Sequence, residues 1–128
     1  MIKFKSVHDA IDDNDGMRIL ATRFRGRGMK SDRYDVWMPS LGPSEKLLKE
    51  LLAGKVSWAD FKKRYKEEVM KSDALDRKNV TVLNHGQKFT FRLIKKLSQK
   101  QTVTLMCHCK TDEPQCHLRV MEKIINSI

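Results

Sequence analysis

No stretch of this chain approaches the roughly 20 consecutive apolar residues that a membrane-spanning helix requires. The N-terminus, Met1-Ile-Lys-Phe-Lys-Ser-Val-His8, lacks the apolar core of a secretory signal. Cysteine is scarce: there are 3, an odd number, and two of them stand in a Cys-x-Cys spacing too tight for an easy mutual disulfide. The thiols therefore read as reduced, and the expected location is cytoplasmic, with no membrane partner. Only 6 Gly and 3 Pro are present, no segment is of low complexity, and no internal repeat appears. The balance of 40% hydrophobic and 33% charged residues is ordinary for a globular protein, and 128 residues are most economically one domain, 1–128. Also missing are a Gly-x-Gly-x-x-Gly and the Lys-Ser/Thr of a P-loop. Asp12 to Gly16 looks like part of a calcium loop, but in register with Gly16 the first ligand would be Ile11 and the twelfth Thr22, so calcium is not expected.

What the chain has in excess is positive charge: 26 Lys and Arg against 16 Asp and Glu give +10. Such a surplus favours polyanions or phosphorylated small molecules, and it also suits a solvated, lysine-rich surface.

Apolar patterning predicts strands alternating with helices. Ile2 to Val7 alternates as an edge strand would, and Met17 to Ala21 reads as a buried strand. Asn79 to Leu83 forms another candidate strand with a polar turn at Asn84 and His85, and Thr102 to Cys107 the last. Leu47, Leu48, Leu51 and Leu52 mark one helix, with Pro43 or Ser44 near its start and Gly54 past its end. A second opens at Ser57 in a capping-box-like pattern and carries Trp58, Phe61, Tyr65 and Val69. Phe89, Leu93 and Leu97 mark a third, and Leu118, Met121, Ile124 or Ile125 and Ile128 a fourth, with Pro114 in its first turn. The expected fold is α/β, a small, mostly parallel sheet flanked by helices. In such a sheet the strand C-termini share one edge, where ligands bind. That edge is expected to gather Arg23, Asn84 with His85, and Cys107 to Cys109.

Chemistry concentrates in one stretch. All three cysteines and two of the four histidines, Cys107, His108, Cys109, Cys116 and His117, fall within eleven residues. Three readings compete. A metal is one, since zinc accepts these ligands, but the spacing is not that of a finger or ribbon, and adjacent Cys116 and His117 diverge on a helix. No cofactor is therefore expected, with zinc the lesser alternative. Nucleophilic catalysis is the second. The His-Cys-x5-Arg loop of tyrosine phosphatases is excluded, because Gln115 occupies the arginine position. Cys116 at a helix N-terminus beside His117 is a better thiolate candidate, with Cys109 the other. The third reading is a set of cysteines that merely pack the turn.

Basic groups surround this stretch. Arg23-Phe-Arg25-Gly26-Arg27-Gly28 interleaves forked donors with glycines that allow close backbone approach. Arg119 lies just beyond His117. Between the second strand and the first helix runs an aromatic, proline-bearing connector, with Trp37 expected to pack as a lid.

The ordered set Tyr34-Asp-Val-Trp37-x-Pro39-x-Leu41-Gly42-Pro43-Ser44, Trp58-x-x-Phe61-x-x-x-Tyr65, Thr104-Leu-x-Cys107-x-Cys109 and Cys116-His117 resembles the YeaO-like family, domain of unknown function 488. The similarity runs from about Gly16 to the C-terminus. The family usually reads Ala-Pro-Ser where this chain has Gly42-Pro43-Ser44, a mild change, and Cys-His-Arg where Leu118 here follows His117. The resemblance implies an α/β domain with a pocket made by Arg23, the Trp37 to Ser44 connector and the Cys/His loop. It implies no particular reaction.

The leading expectation is binding of a phosphate- or nucleotide-like anion, with Cys109 or Cys116 as a reactive thiol tuned by His117. Arg23, Arg27, Trp37, Pro43, Ser44, Cys107 and Arg119 would line the site. The alternative is a nucleic-acid-binding module using Arg25, Arg27, Lys30 and Arg33, with structural cysteines.

Overall fold

A computed structural model describes residues 1–76 and 79–128, and their side chains outside 74–84. Four strands, β1 (Ile2–Ser6), β2 (Met17–Leu20), β3 (Val36–Trp37) and β6 (Val103–Cys107), form a parallel sheet in the order β1-β6-β2-β3. Ile2 pairs with Val103 and Ile19 with Leu105, so β6 has a neighbour on each side and is buried along its whole length. That burial is why its sequence runs Val-Thr-Leu-Met-Cys without a charge.

All four helices lie over one face of this sheet. Helix α1 (Glu45–Leu52) is capped by the Ser44 hydroxyl, which accepts from the Leu47 amide, and α2 (Trp58–Met70) by Ser57, which accepts from Asp60. Helices α3 (Lys88–Ser98) and α4 (His117–Ser127) complete the layer. Leu47, Phe61, Tyr65, Phe91, Ile94, Leu118 and Met121 pack with Ile19, Ala21, Val103, Leu105 and Cys107 in one core. Alternation along the strands sends Leu20 and Met106 to the opposite face, where Val7, Met29 and Tyr34 from loops cover them. There the Asp15 carboxylate, 2% exposed, accepts from Lys5 Nζ (2.7 Å), Lys3 Nζ (3.4 Å) and the Asp12 amide (3.0 Å). Burial would raise its pKa. The hydrogen bond from Lys5, the Asp12 amide, the Lys5 charge and the hydrogen bond from Lys3 together hold it below the usual carboxylate range.

Three expectations are corrected. The Asn79 to Leu83 strand exists within β5 (Asn79–Asn84), but it pairs antiparallel with β4 (Asp73–Asp76) in a separate two-stranded sheet. Asn84 and His85 therefore do not join the C-terminal edge of the parallel sheet. Helix α3 is rotated from its predicted face: Phe91 and Ile94 are buried, while Phe89 and Leu93 are 54% and 57% exposed. Both apolar stripes fit helical periodicity, and docking against the sheet selected one. Pro114 precedes α4, whose N-cap is Cys116. Part of the connector forms the edge strand β3. No helix among the described residues is long and apolar enough to cross a membrane.

Candidate functional site

The site forms where β6 ends. Val103, Leu105 and Cys107 point into the helix layer, so the last strand residue carries its sulfur to the end of the core. The chain then turns through His108 and Cys109 and returns at Cys116. Its sulfur comes to rest 3.2 Å from that of Cys107. All three sulfurs lie within 4.8 Å of one another and all three thiols are free. Cys107 and Cys116 are 2% and 3% exposed, whereas Cys109 is partly open to solvent.

Three thiols at such distances share their protons, and a single negative charge on the trio settles on one sulfur. Hydrogen bonds from Cys107 and then Cys116 lower the pKa of Cys109, against burial, and the imidazoles of His117 and His108 add to the effect. Cys107 is pushed strongly up by its hydrogen bonds to Cys109 and Cys116 and by burial. For Cys116 the Cys107 contact pulls downward, but the bond to Cys109, burial and the Cys109 charge outweigh it and raise the thiol to about 11. The Leu118 amide favours a Cys116 thiolate, as expected at a helix start, yet it is too weak to decide the outcome. These directions make Cys109, not Cys116, the most acidic of the three thiols.

Both histidines grip the end of β2. His117 Nε2 lies 2.5 Å from the Ala21 carbonyl, and His108 Nε2 lies 3.1 Å from that of Phe24. A carbonyl can only accept, so both imidazoles carry a proton on Nε2. Burial holds the His117 pKa below its ordinary value, against the Ala21 bond and the charge of Cys109. Between these two anchors Trp37 Nε1 donates to the Thr22 carbonyl (2.8 Å), and Thr22 Oγ1 to that of Phe24 (2.6 Å). The β2 exit is thus pinned at Ala21, Thr22 and Phe24. Beyond it the backbone at Gly26 runs so close to His108 that a Cβ there would sit 2.8 Å from the ring Cε1. The arginine and glycine loop consequently leans on the residue next to Cys109.

The remaining candidates fall into two groups. Arg23 stays on the same edge, its Nε and Nη2 donating to the carbonyls of Pro43 (2.9 Å) and Gly42 (3.1 Å). Burial drives the Tyr65 phenol up, Cys116 and Glu68 nearby add to the effect and Arg23 opposes it, so Tyr65 stands within electrostatic reach of all three. Arg27 is exposed and, among the described residues, has no hydrogen bond or ion pair. Ser44 is occupied: besides capping α1 it bonds Glu68 through both its amide (2.9 Å) and its hydroxyl. Arg119 is turned elsewhere, its guanidinium 5.4 Å from the Phe4 ring centre and Nη1 3.7 Å from Glu122. The Gly42 departure is not mild in this backbone, since a Cβ would lie 2.4 Å from the Arg23 amide nitrogen.

Two residues were given no site role from sequence. Tyr65 reads as core from its helical spacing, yet its ring meets His117 edge-on at 5.7 Å and its hydroxyl donates to Leu41 at 2.5 Å. His108 follows Cys107 on the opposite strand face, and that alternation was the one available hint that it would meet the β2 exit.

Comparison with known proteins agrees with this chain-wide pattern. The chain is 30% identical over 76 residues to the uncharacterised proteins Rv3073c of Mycobacterium tuberculosis and Mb3100c of Mycobacterium bovis, covering 58% of this chain. The chain spans 64% of the length of these curated relatives. No solved structure matches it. A family model described as the active DUF488-N3 subclade matches residues 2–128, and the chain belongs to this DUF488-N3a family, within the YeaO-like proteins.

Proposed function

We propose that this protein is a thiol-dependent enzyme acting on a phosphate- or nucleotide-like anion, with Cys109 as the nucleophile. The observation that carries the reading is the trio itself. Cys109 is the most accessible of three sulfurs clustered within 4.8 Å, and the two buried neighbours lower its pKa. Arg27, unpartnered on the loop that leans against His108, supplies a guanidinium for the anion. His117 and Trp37 act as positioning residues by holding the β2 exit. The description of the family as an active subclade supports catalysis over a purely structural role.

Alkylation with iodoacetamide as a function of pH, read residue by residue by mass spectrometry, tests it. Cys109 is expected to react at full rate near pH 6, with Cys107 and Cys116 silent there. Reaction of all three only above about pH 8, as for unperturbed thiols, would overturn the proposal.

A second reading is favoured by the sulfur spacing. Zinc holds thiolates at about 2.3 Å in a tetrahedron, which the separations within 4.8 Å can satisfy with small shifts. Cys107, Cys109 and Cys116 would be its ligands. No histidine nitrogen lies within reach of all three sulfurs among the described residues, so the fourth position would go to an external group. A metal held there would supply Lewis acidity. Stoichiometric zinc in purified protein, with Cys109 protected from alkylation until a chelator is added, would favour this reading over a free thiolate.

A further inference from the structure

Charge elsewhere on the molecule is arranged in a way that the thiol site does not use. Where α2 packs on α4 there is a groove of about 410 Å³, walled by Lys62, Lys63 and Lys66 from α2 and by Arg119 and Lys123 from α4. Val120, Ile124 and the partly exposed Trp58 supply its apolar surface, and no acidic residue lines it. Lys62 with Lys66, and Arg119 with Lys123, are i,i+4 pairs, so each wall presents two cations about 6 Å apart along its helix axis. Only Arg119 among them has an acidic partner, Glu122 at 3.7 Å, and its Nε is buried with no hydrogen-bond partner. Trp58 is braced by Phe61, the rings stacked with centroids 5.1 Å apart.

Of the four cations expected from sequence to bind nucleic acid, Arg25 and Arg33 are engaged within the fold. Arg33 donates to the carbonyls of Val7 and Asp9, and Arg25 to Met29 while lying over the Tyr34 ring. Their guanidiniums hold loops together.

We infer that the α2–α4 groove is a binding site for single-stranded nucleic acid. Phosphates would lie between the two cationic walls and a base would stack on Trp58, the combination of basic track and aromatic platform that unpaired strands require. Unlike cations tied to backbone carbonyls, the groove lysines are free to exchange water and counterions for phosphate. An acidic peptide would satisfy the charge but leave the tryptophan unused. A lipid surface would need apolar groups on a protruding face, and here they line a hollow.

The test is anisotropy of a fluorescein-labelled oligothymidylate with the full chain over a salt series. Wild-type affinity should fall steeply with salt. The triple variant Lys62→Glu, Lys66→Glu, Lys123→Glu should bind at least about tenfold more weakly, with the slope of log K against log salt reduced by about 2, for three phosphate contacts at about 0.7 each. The triple variant Lys46→Glu, Lys49→Glu, Lys55→Glu alters net charge equally on and after α1, and should retain affinity within about threefold. In a Trp37→Phe background, where Trp58 is the sole tryptophan, the oligonucleotide should quench fluorescence and polyglutamate should not. Circular dichroism confirms that the surface variants are folded. No binding at low salt, equal losses in the two triple variants, or binding without Trp58 quenching would each overturn the inference. Because Cys109→Ser should bind the oligonucleotide normally, failure here is separable from failure of the thiol mechanism.

Discussion

Replacing Gly26 by alanine tests whether the arginine loop is mechanically tied to the thiol site, and Gly28→Ala provides the matched control. Both glycines have positive φ, +95° at Gly26 and +75° at Gly28. A side chain in such a conformation costs about 1–2 kcal/mol, partly offset in both cases by about 0.4–1 kcal/mol from the stiffer unfolded chain. The two differ in surroundings. A Cβ on Gly28 meets nothing within 4 Å, whereas one on Gly26 would lie 2.8 Å from His108 Cε1. The imidazole must swing away, and its bond to the Phe24 carbonyl, worth about 0.5–1.5 kcal/mol, is lost. Gly26→Ala should therefore be the more destabilising by about 1 kcal/mol in urea denaturation. It should also shift the Cys109 alkylation midpoint upward, because His108 helps to favour that thiolate, while Gly28→Ala leaves the midpoint unchanged. Equal destabilisation with unmoved midpoints would refute the coupling.

Asp15→Asn should cost about 2–3 kcal/mol at pH 7, since it removes a buried carboxylate that accepts from two lysines. The Asp15 pKa is lowered on folding, so its stabilisation is fully present above the unfolded value of about 3.9 and is lost as pH falls through the folded value; chemical denaturation from pH 6 to pH 2 should show a loss in the parent that is reduced in the variant. Tyr65→Phe leaves the Leu41 carbonyl without its donor inside the core and should cost about 1–2 kcal/mol in the same assay. Cys109→Ser should abolish alkylation near pH 6 while changing the melting temperature little, as the residue is partly exposed; a large drop in melting temperature would mark Cys109 as structural. Gly42→Ala should destabilise by about 1–3 kcal/mol through its clash with the Arg23 backbone, and an unchanged melting temperature would show that this turn yields freely.

The local pattern of residues determined much of the outcome. An uncharged, β-branched run ending in Cys107 makes a buried strand, and serines at 44 and 57 ahead of apolar periodicity start two helices. Period and capping are properties of neighbouring residues, so they are readable before the chain folds. Proximity in sequence likewise announced the Cys/His stretch. Which thiol is the most acidic was decided only by tertiary structure, because the pKa of each depends on the other two and on how far each is buried. The same holds for α3, whose two apolar stripes are equivalent until one meets the sheet, and for β5, whose partner is chosen by docking rather than by propensity. Arg119 stands two residues from His117 in the chain, yet its guanidinium meets Phe4 and Glu122 rather than the thiols, and the residue lines the α2–α4 groove. There it joins lysines more than fifty positions away, in a groove that exists only once the two helices have packed.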